Sequence, residues 1–490
     1  CDTAPGEMSQ ELCNKAPQLL SAWAQNPYIS YRKPDTQALT FPHHGKECAI
    51  ECERLLKRMV DERRAGNHNA VANTQTYNAL IDVWSRSGVH GAAAQRAEDI
   101  VIGMQNAYAS GEMEVQPNLE SFRLVLRGWA QRAKTEKDAP HRAQALLEWM
   151  VQLYESGENE LLLPDTDCFD IVLSSWAHSG HKGAPQMTEK LIMSMEHLQK
   201  KHAKPEQTSL CKPTRMSFNH VLTAWSKSNQ NQVAAQRAED ILNHMLALSK
   251  QPENQDLTPN IATYSTVVAA WAKSRDMDCG RRAERILKQT EHQFKAHNDE
   301  YVMPDTIMYN LVIDAHAKTS SNRSHRRART VLDRQIDLYK SGNKKCKPDV
   351  YSFTSVLSSC ASLDGCRKDK LHAFEIAKET FTEMCRSNVM PNHVTYGTML
   401  KACGRLLPQG RERRRFTREY FRKACEDGCV GDMVLYRLKE AASPVQYEGL
   451  LKGMTKNTLP TEWTTKVPDW EKCKHKNFKK TKKKKGTLRP

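Results

Sequence analysis

The sequence predicts an all-α protein, an α-solenoid of repeated helix-turn-helix units, from two observations. Seven times a proline is followed, five positions later, by a tyrosine or phenylalanine, as at Pro117 and Phe122 or Pro304 and Tyr309. An eighth unit opens at Tyr77, and successive aromatic residues lie 45, 47, 49, 46, 45, 44 and 43 residues apart. A supersecondary unit copied at a near-constant period along most of a chain is the signature of a solenoid.

Each unit opens with a predicted first helix of about a dozen residues. Counting from Tyr77, apolar side chains recur at Leu80, Ile81 and Trp84, which is the 0, 3, 4, 7 spacing of one helix face. The tryptophan of this pattern recurs in the next four units at Trp129, Trp176, Trp225 and Trp271. In the last three units the same place is taken by His316, Cys360 and Cys403. The upstream proline precedes the first turn, where its missing N–H costs no hydrogen bond.

A second helix is marked by an Arg-Ala pair, most fully in Gln-Arg-Ala-Glu-Asp-Ile at 95–100 and at 236–241. Met104 and Met245 each lie seven residues after the alanine of this motif, so alanine and methionine share one face over two turns. The small alanine permits close approach of the first helix. Each unit is therefore predicted to be a helical hairpin with the aromatic, tryptophan and methionine side chains in its core.

The chain divides into three predicted parts. Residues 1–72 are expected to form an N-terminal helical cap or an irregular repeat, with helices near 9–24 and 46–65. Residues 73–440 hold the array of about eight hairpins, and residues 441–490 form a basic tail whose composition predicts disorder. No apolar run approaches the roughly 18 residues that span a bilayer, so we expect no membrane partner.

Positive charge is concentrated at the C-terminal end. The formal net charge is +16, of which residues 471–490 contribute +9 and the rest of the chain +7. This excess predicts nonspecific attraction to RNA phosphates. A solubilising terminus or a nuclear localisation signal are the alternatives. The lysines of the cluster are Lys479, Lys480, Lys482, Lys483, Lys484 and Lys485.

The sequence contains no catalytic constellation. No glycine-rich phosphate loop precedes a helix and no His-Glu-x-x-His motif occurs, so we expect neither an enzyme nor a cofactor. Cys48 with Cys52, and Cys425 with Cys429, are spaced one helical turn apart, but each pair lacks the second close pair of a strong zinc motif. We therefore expect the fifteen cysteines to be reduced and to bind no metal.

The motif Pro-Asp-x-x-x-Tyr-Asn at 304–310, together with the Ala-x6-Met pattern of the second helix, resembles the pentatricopeptide repeat. A tetratricopeptide repeat fits less well, because its tryptophan, glycine, tyrosine and proline markers fall elsewhere. The resemblance covers about residues 70 to 430. It implies a right-handed superhelix, single-stranded RNA as the partner, and a location in a mitochondrion or a plastid. The long period is attributed to insertions in loops or at helix ends.

The resemblance also implies which residues bind RNA, at one base per repeat. The residue after the aromatic and the residue after the next proline would bond one base edge, and the residue two before the aromatic would pack on the base. The implied base-reading pairs are Asn78 with Asn118, Asn219 with Asn260, Ser265 with Asp305, Asn310 with Asp349, and Thr354 with Asn392. The implied stacking residues are Met216, Ala262, Ile307 and Tyr351, with Gln75 in the first unit. Units four to seven then imply a site resembling 5′-C-G-U-A-3′, with a pyrimidine upstream beyond a two-nucleotide gap.

Units two and three depart from this pattern. Their pairs are Arg123 with Asp165 and Asp170 with Thr214, and their stacking positions hold Glu120 and Asp167. These pairs lie outside the usual recognition set, and a carboxylate at the stacking position would repel RNA phosphates. Both units are therefore predicted to be structural spacers. Unit eight, with Gly397 and no following proline, is predicted to be a cap.

Three functions remain open at this point. The first is sequence-selective binding of single-stranded RNA in an organelle, which stabilises, processes or exposes a transcript through other RNA-processing factors. The second is a structural solenoid in an organellar ribonucleoprotein such as the mitochondrial ribosome, in contact with ribosomal proteins and rRNA. The third, a peptide-binding solenoid, gives no reason for the recurring Asn, Ser, Thr and Asp residues.

Overall fold

The computed structural model of the chain is α-helical, with short 3-10 turns and no β-strand among the residues that it describes. The all-α class predicted from the sequence is confirmed. The described residues are 44–67, 70–87, 92–112, 114–202, 211–297, 300–319, 323–455 and 458–468.

One helix, α1 (His44–Arg64), precedes the repeats, close to the helix predicted at 46–65. The other helix predicted in this part, near 9–24, lies outside the described residues. Eight pairs of helices follow, as the repeat predicts. The first helices of units one to eight are α2 Thr74–Arg86, α4 Leu119–Arg132, α6 Thr166–Ser179, α8 Arg215–Lys227, α10 Ile261–Ser274, α12 Thr306–Lys318, α14 Val350–Ala361 and α16 His393–Leu406. Their second helices are α3 Ala92–Ala109, α5 Ala139–Glu155, α7 Ala184–His202, α9 Asn231–Leu248, α11 Cys279–His297, α13 Ser324–Lys340, α15 Arg367–Arg386 and α17 Arg411–Glu426.

The extra length of these repeats lies in the second helices and in the turns that follow them. The second helix of unit seven has 20 residues, against 12 in the first helix of the same unit. After several second helices the chain forms a 3-10 turn that buries one apolar side chain, such as Leu162, Leu257 or Val302. The turns are Glu160–Leu162, Pro252–Leu257, Glu300–Val302 and Lys344–Cys346.

The described helices form two compact units. The first contains α1 to α8 and the turn at Pro252–Leu257, and the second contains residues 230–247 and the described residues after 257. Within each of them, the first helix of a repeat packs on the first helix of the next repeat and on its own second helix. Stacking of successive repeats therefore buries a continuous core in each compact unit.

The predicted core positions are buried. The aromatic residue that opens each unit and the tryptophan seven residues later are at most 9% exposed, and so are the alanine and methionine of the second helices, such as Ala97 and Met104. Cys360 and Cys403, which take the place of tryptophan, are also buried, and burial raises the pKa of each thiol to about 12. These cysteines behave as small apolar core residues.

The tryptophans also connect neighbouring repeats through hydrogen bonds. Trp84 Nε1 donates to Glu53 Oε2 at 3.2 Å, and Trp129 Nε1 donates to Glu98 Oε2 at 2.8 Å, so each indole bonds the second helix of the unit before it, or α1. The arginine of the following Arg-Ala pair joins the same carboxylate. The corresponding ion pairs are Arg96 with Glu53, Arg142 with Glu98, Arg282 with Glu239, and Arg327 with Glu284. We call this set of contacts the tryptophan–glutamate ladder.

Helical structure continues into the segment predicted as a C-terminal tail. Two further helices, α18 (Asp432–Ala441) and α19 (Pro444–Leu451), and a 3-10 turn at Thr461–Thr464 follow unit eight. The ring of Trp463 packs edge-on against Phe421 with centroids 5.9 Å apart. The segment is held because it buries apolar side chains, so only residues beyond 468 remain as the predicted tail. The lysine cluster lies there, outside the described residues.

Unit eight is covered by these helices and does not end the stack as the predicted cap. The first helix of unit eight packs against α18 in the same way as the earlier first helices pack on one another. A Cβ atom built on Gly397 would lie 3.1 Å from Cγ of Met433, so glycine at this position permits the close approach of α18.

Candidate nucleic-acid interface

The residue after each repeat proline, implied to read a base, is the N-cap of a first helix. Its side chain accepts a hydrogen bond from the backbone N–H three residues further on, at distances from 2.8 Å for Asp349 to 3.4 Å for Thr214. The other caps are Asn73, Asn118, Asp165, Asn260, Asp305 and Asn392. Asn, Asp and Thr are favoured N-caps in any helix. Their recurrence after the prolines therefore has a structural cause that the sequence analysis missed, although serine or threonine three residues later signals a capping box.

Units one and six bring their implied pairs into direct contact. In unit six, Asn310 Nδ2 donates to Asp349 Oδ1 at 3.1 Å, and Ser352 Oγ donates to Asn310 Oδ1 at 2.6 Å. In unit one, Asn78 Nδ2 donates to Asn118 Oδ1 at 3.3 Å and receives a bond on Oδ1 from Ser121 at 2.6 Å. Each asparagine is thereby held in one orientation. Its second amide hydrogen remains a donor beyond these bonds.

Units four, five and seven differ in how their implied pairs are placed. In unit seven, Thr354 Oγ1 lies 2.9 Å from Thr395 Oγ1, and Thr395 in turn donates to Asn392 Oδ1 at 3.1 Å, so the contact runs through a third side chain. In unit five, Ser265 is half-buried and Asp305 caps the next helix. In unit four, Asn219 and Asn260 belong to different compact units.

The implied stacking residues are exposed on the first turn of their helices. Met216 is 56% exposed, Ile307 64% and Tyr351 53%, and Ala262 and Gln75 are exposed as well. Each of these residues lies two positions before the buried aromatic of its unit. Large apolar side chains left in water beside fixed polar groups mark a surface suited to a flat, partly apolar ligand.

In unit two the corresponding surface is closed by ion pairs. Arg123 contacts Asp165 at 2.5 Å and Glu120 at 2.7 Å, and its side chain is only 18% exposed. Glu120 also lies 3.8 Å from Arg127 on the same helix. The residues that would read and stack a base in unit two therefore bind one another. We call this arrangement the unit-two lock.

In unit three the reading position holds a buried carboxylate. The hydroxyl groups of Ser217 and Thr214 are hydrogen-bonded to Asp170, and burial raises the pKa of this carboxyl to about 6. Asp167, at the stacking position, is exposed. Unit three thus has neither the amide pair of unit six nor the ion pair of unit two.

Basic side chains lie two turns beyond the reading positions, near the ends of the first helices. In the first compact unit they are Arg86, His178 and Lys227, and in the second they are Lys273, Lys318 and Arg405. Some are paired with acids one turn or one unit away, as Lys318 is with Asp314 at 2.6 Å. Burial, together with the positive charge of Lys134, lowers the pKa of Lys227. Cations near helix C-termini are favoured by the helix dipole, and here they also form a row that the sequence analysis missed.

Neither a metal centre nor a membrane segment is found in the described part of the chain. No group of three or more His, Cys, Asp and Glu side chains there could hold a metal ion. None of the described helices combines the length and the apolar character needed to cross a membrane. Cys52, Cys425 and Cys429 are free thiols.

Comparisons with known proteins agree with the repeat architecture. Residues 338–405 match a family model described as the pentatricopeptide repeat domain. No curated protein matches the chain. Among solved structures, the chain is similar to the pentatricopeptide repeat protein PPR10 from maize, with 16% identity, a TM-score of 0.45, and coverage of 92% of this chain and 59% of that chain. PPR10 bound to an 18-nucleotide psaJ RNA element matches with 14% identity, a TM-score of 0.31, and coverage of 90% and 64%. The chain thus spans about three fifths of the length of these solved proteins.

Proposed function

We propose that this chain, a pentatricopeptide repeat protein whose family match covers residues 338–405, binds single-stranded RNA on the first turns of its first helices. The observation that carries the proposal is the arrangement in unit six. There a fixed, hydrogen-bonded pair, Asn310 and Asp349, lies beside the exposed apolar side chain of Ile307. A flat base can stack on the apolar side chain while its edge meets the polar pair, which is how repeat proteins read RNA base by base.

Units four to seven supply the sequence-selective part of the proposed site. With one base per unit, they favour 5′-C-G-U-A-3′, and unit one adds a pyrimidine upstream. Stacking contributes about 1–3 kcal/mol per base, so four bases give a gross roughly 4–12 kcal/mol before the cost of ordering the RNA. This range corresponds to modest affinity, which leaves a role for charge.

Positive charge adds affinity that does not depend on base sequence. The basic row near the ends of the first helices and the lysine cluster Lys479–Lys485 provide it. Neutralising phosphates releases counterions, so binding is expected to weaken steeply as salt increases. The proposed role is binding without catalysis, in a mitochondrion or plastid, where the protein stabilises, processes or exposes a transcript through other factors.

The base-reading role is tested by exchanging two reading residues. Asn310→Thr together with Ser265→Asn should change the preferred base opposite units six and five, because donors and acceptors on the two helices are exchanged. Binding to RNAs with each base at these two positions measures the change. A matched control, Asn106→Thr with Ser194→Asn, makes the same exchange at exposed positions of second helices and should leave the preference as it is. An unchanged preference in the first variant would refute base reading.

The alternative, a structural solenoid in an organellar ribonucleoprotein such as the mitochondrial ribosome, draws its support from the lysine cluster and the unit-two lock. Both favour contact with RNA by charge, without reading bases. Sequencing of RNA crosslinked to the protein in the organelle separates the two functions. A short common motif in transcripts supports the sequence-selective reader. Broad recovery of rRNA with ribosome cosedimentation supports the structural subunit.

A further inference from the structure

A cavity of about 460 Å³ lies between the first helices of units two, three and four, inside the first compact unit. Its volume lies within the range of small-ligand pockets, and it can accommodate a nucleobase. Polar groups of opposite charge face each other across it. The side chains that matter are Arg127 and Gln131 from unit two, Asp167, Asp170 and Ile171 from unit three, and His220 from unit four.

Asp170 is the polar group at this cavity whose bonding is incomplete. Ser217 and Thr214 donate to its carboxylate, but Oδ1 accepts no hydrogen bond from any described residue. A buried acceptor without a donor is destabilising, and such groups are rare in native proteins. A donor supplied by a ligand in the cavity would remove this cost.

The other side of the cavity supplies a donor and a neutral ring. The guanidinium of Arg127 has only a 3.8 Å ion pair with Glu120, and half of its side chain is exposed. Burial lowers the pKa of His220 to about 4, so its imidazole is uncharged at neutral pH. With Ile171, this ring offers a flat and partly apolar wall for a base.

Among the four RNA bases, guanine alone has two adjacent donors, N1–H and N2–H2, on one edge and two acceptors, O6 and N7, on another. Adenine and cytosine place a ring-nitrogen acceptor beside their amino group, and uracil places carbonyls on both sides of N3–H. Those acceptors would face carboxylates. Arginine, in contrast, is a preferred partner of guanine O6 and N7.

We propose that this cavity is a guanine-binding pocket of the RNA site, in which Asp170, with Asp167, accepts hydrogen bonds from N1–H and N2–H2 while Arg127 donates to O6 and N7. The inference rests on the proposed RNA-binding function and extends it. It replaces the spacer role of unit three by a recognition role. In the order of the repeats, the guanine lies immediately 5′ of the C-G-U-A segment.

The test measures binding of the full chain to four RNAs, 5′-CAXCGUA-3′, with each base at X. Guanine at X should bind about 10-fold more tightly than the other three bases, or better, because discrimination by a bidentate pair is of this order. Inosine at X lacks the N2 amine and should lose most of the advantage. The analogue 7-deazaguanine lacks N7 and should lose the part that depends on Arg127.

Asp170→Asn replaces one acceptor by a donor and should abolish the guanine preference, while the affinity for the X = U RNA stays within about threefold. Asp314→Asn in unit six removes the same charge outside the cavity and should keep the preference. Equal binding of all four RNAs by the unmodified protein would overturn the pocket while leaving C-G-U-A binding intact. Failure of every RNA to bind would refute the proposed function itself. If Asp170→Asn unfolds the protein, the inosine comparison with the unmodified chain decides.

Discussion

Units two and six have the same helical framework and opposite first turns. In both, a buried aromatic, Phe122 or Tyr309, anchors the first helix, and an N-cap acid begins the next one. In unit six the reading asparagine bonds its partner acid and leaves Ile307 exposed. In unit two Arg123 draws both neighbouring acids into ion pairs. The difference teaches that the framework fixes where a base can bind, and a few first-turn side chains decide whether it does.

The tryptophan–glutamate ladder shows a second contrast, between equivalent acids of two units. Burial raises the pKa of Glu98, against the opposing effects of Trp129 and Arg142. At the equivalent position, the hydrogen bond with His316 lowers the pKa of Glu284 to about 2, against the effect of burial. Replacing tryptophan by histidine therefore reverses the direction of the shift within one framework.

The largest expected effect comes from breaking the shared framework. Phe122→Ala and Tyr309→Ala should each lower the free energy of unfolding by about 3–5 kcal/mol, because both leave a large cavity in a buried core. Urea unfolding followed by circular dichroism measures the loss. Met216→Ala, which truncates an exposed side chain, should stay within about 0.5 kcal/mol. A much smaller loss in one of the two units would contradict a common framework.

Removing a stacking side chain should weaken RNA binding without affecting the fold. Tyr351→Ala is expected to cost about 1–3 kcal/mol of binding free energy, the usual contribution of one aromatic stack. Fluorescence anisotropy with a C-G-U-A RNA measures it. Tyr339→Ala, which removes a tyrosine from a second helix, is the matched control and should bind normally. Equal losses in both variants would place the RNA elsewhere.

Opening the unit-two lock should create a reading unit. Glu120→Ile with Arg123→Asn gives unit two the stacking residue and the pair of unit six, since Asp165 is already present. A uracil opposite unit two should then gain about 1 kcal/mol, the lower end of a stacked contact. Glu120→Ile alone leaves the pair of Arg123 and Asp165 closed and should gain nothing. A gain of the same size from the single variant would show that the lock does not exclude the base.

The smallest expected effect concerns pH and the two ladder acids. The lowered pKa of Glu284 stabilises the fold above the ordinary value of 4.5, and this contribution disappears as the pH falls from 4.5 towards 2. For Glu98, with a raised pKa, the contribution is present below 4.5 and disappears as the pH rises through the raised value.

Glu284→Gln and Glu98→Gln should therefore flatten the stability profile on opposite sides of pH 4.5, each by about 1 kcal/mol or less once solvent screening is included. Thermal unfolding between pH 2.5 and 7 measures the profiles. If both variants flatten the same side, the contrast between the two acids is wrong.

The framework could be predicted from the sequence because its signals are local. The spacing from Tyr77 to Trp84, and from Ala97 to Met104, repeats within single helices and identifies the buried faces. The N-cap role of Asn118 is also local, since Ser121 completes a capping box, yet it was read only as base recognition.

The remaining contacts join residues far apart in sequence, so no local pattern reveals them. Trp129 and Glu98 are separated by 31 positions and Arg123 and Asp165 by 42, and they meet only after repeats stack. The sequence supplied the residues of the lock but not its closure. The same reason applies to the cavity beside Asp170, which is formed by helices of three units.

Selection of RNA ligands from a random pool by the full chain tests the central claim most directly, because it measures every unit at once. The account predicts a common motif containing C-G-U-A, with base discrimination opposite units six and seven and none opposite unit two. A pool without any common motif, or one whose strongest discrimination lies opposite unit two, would contradict it.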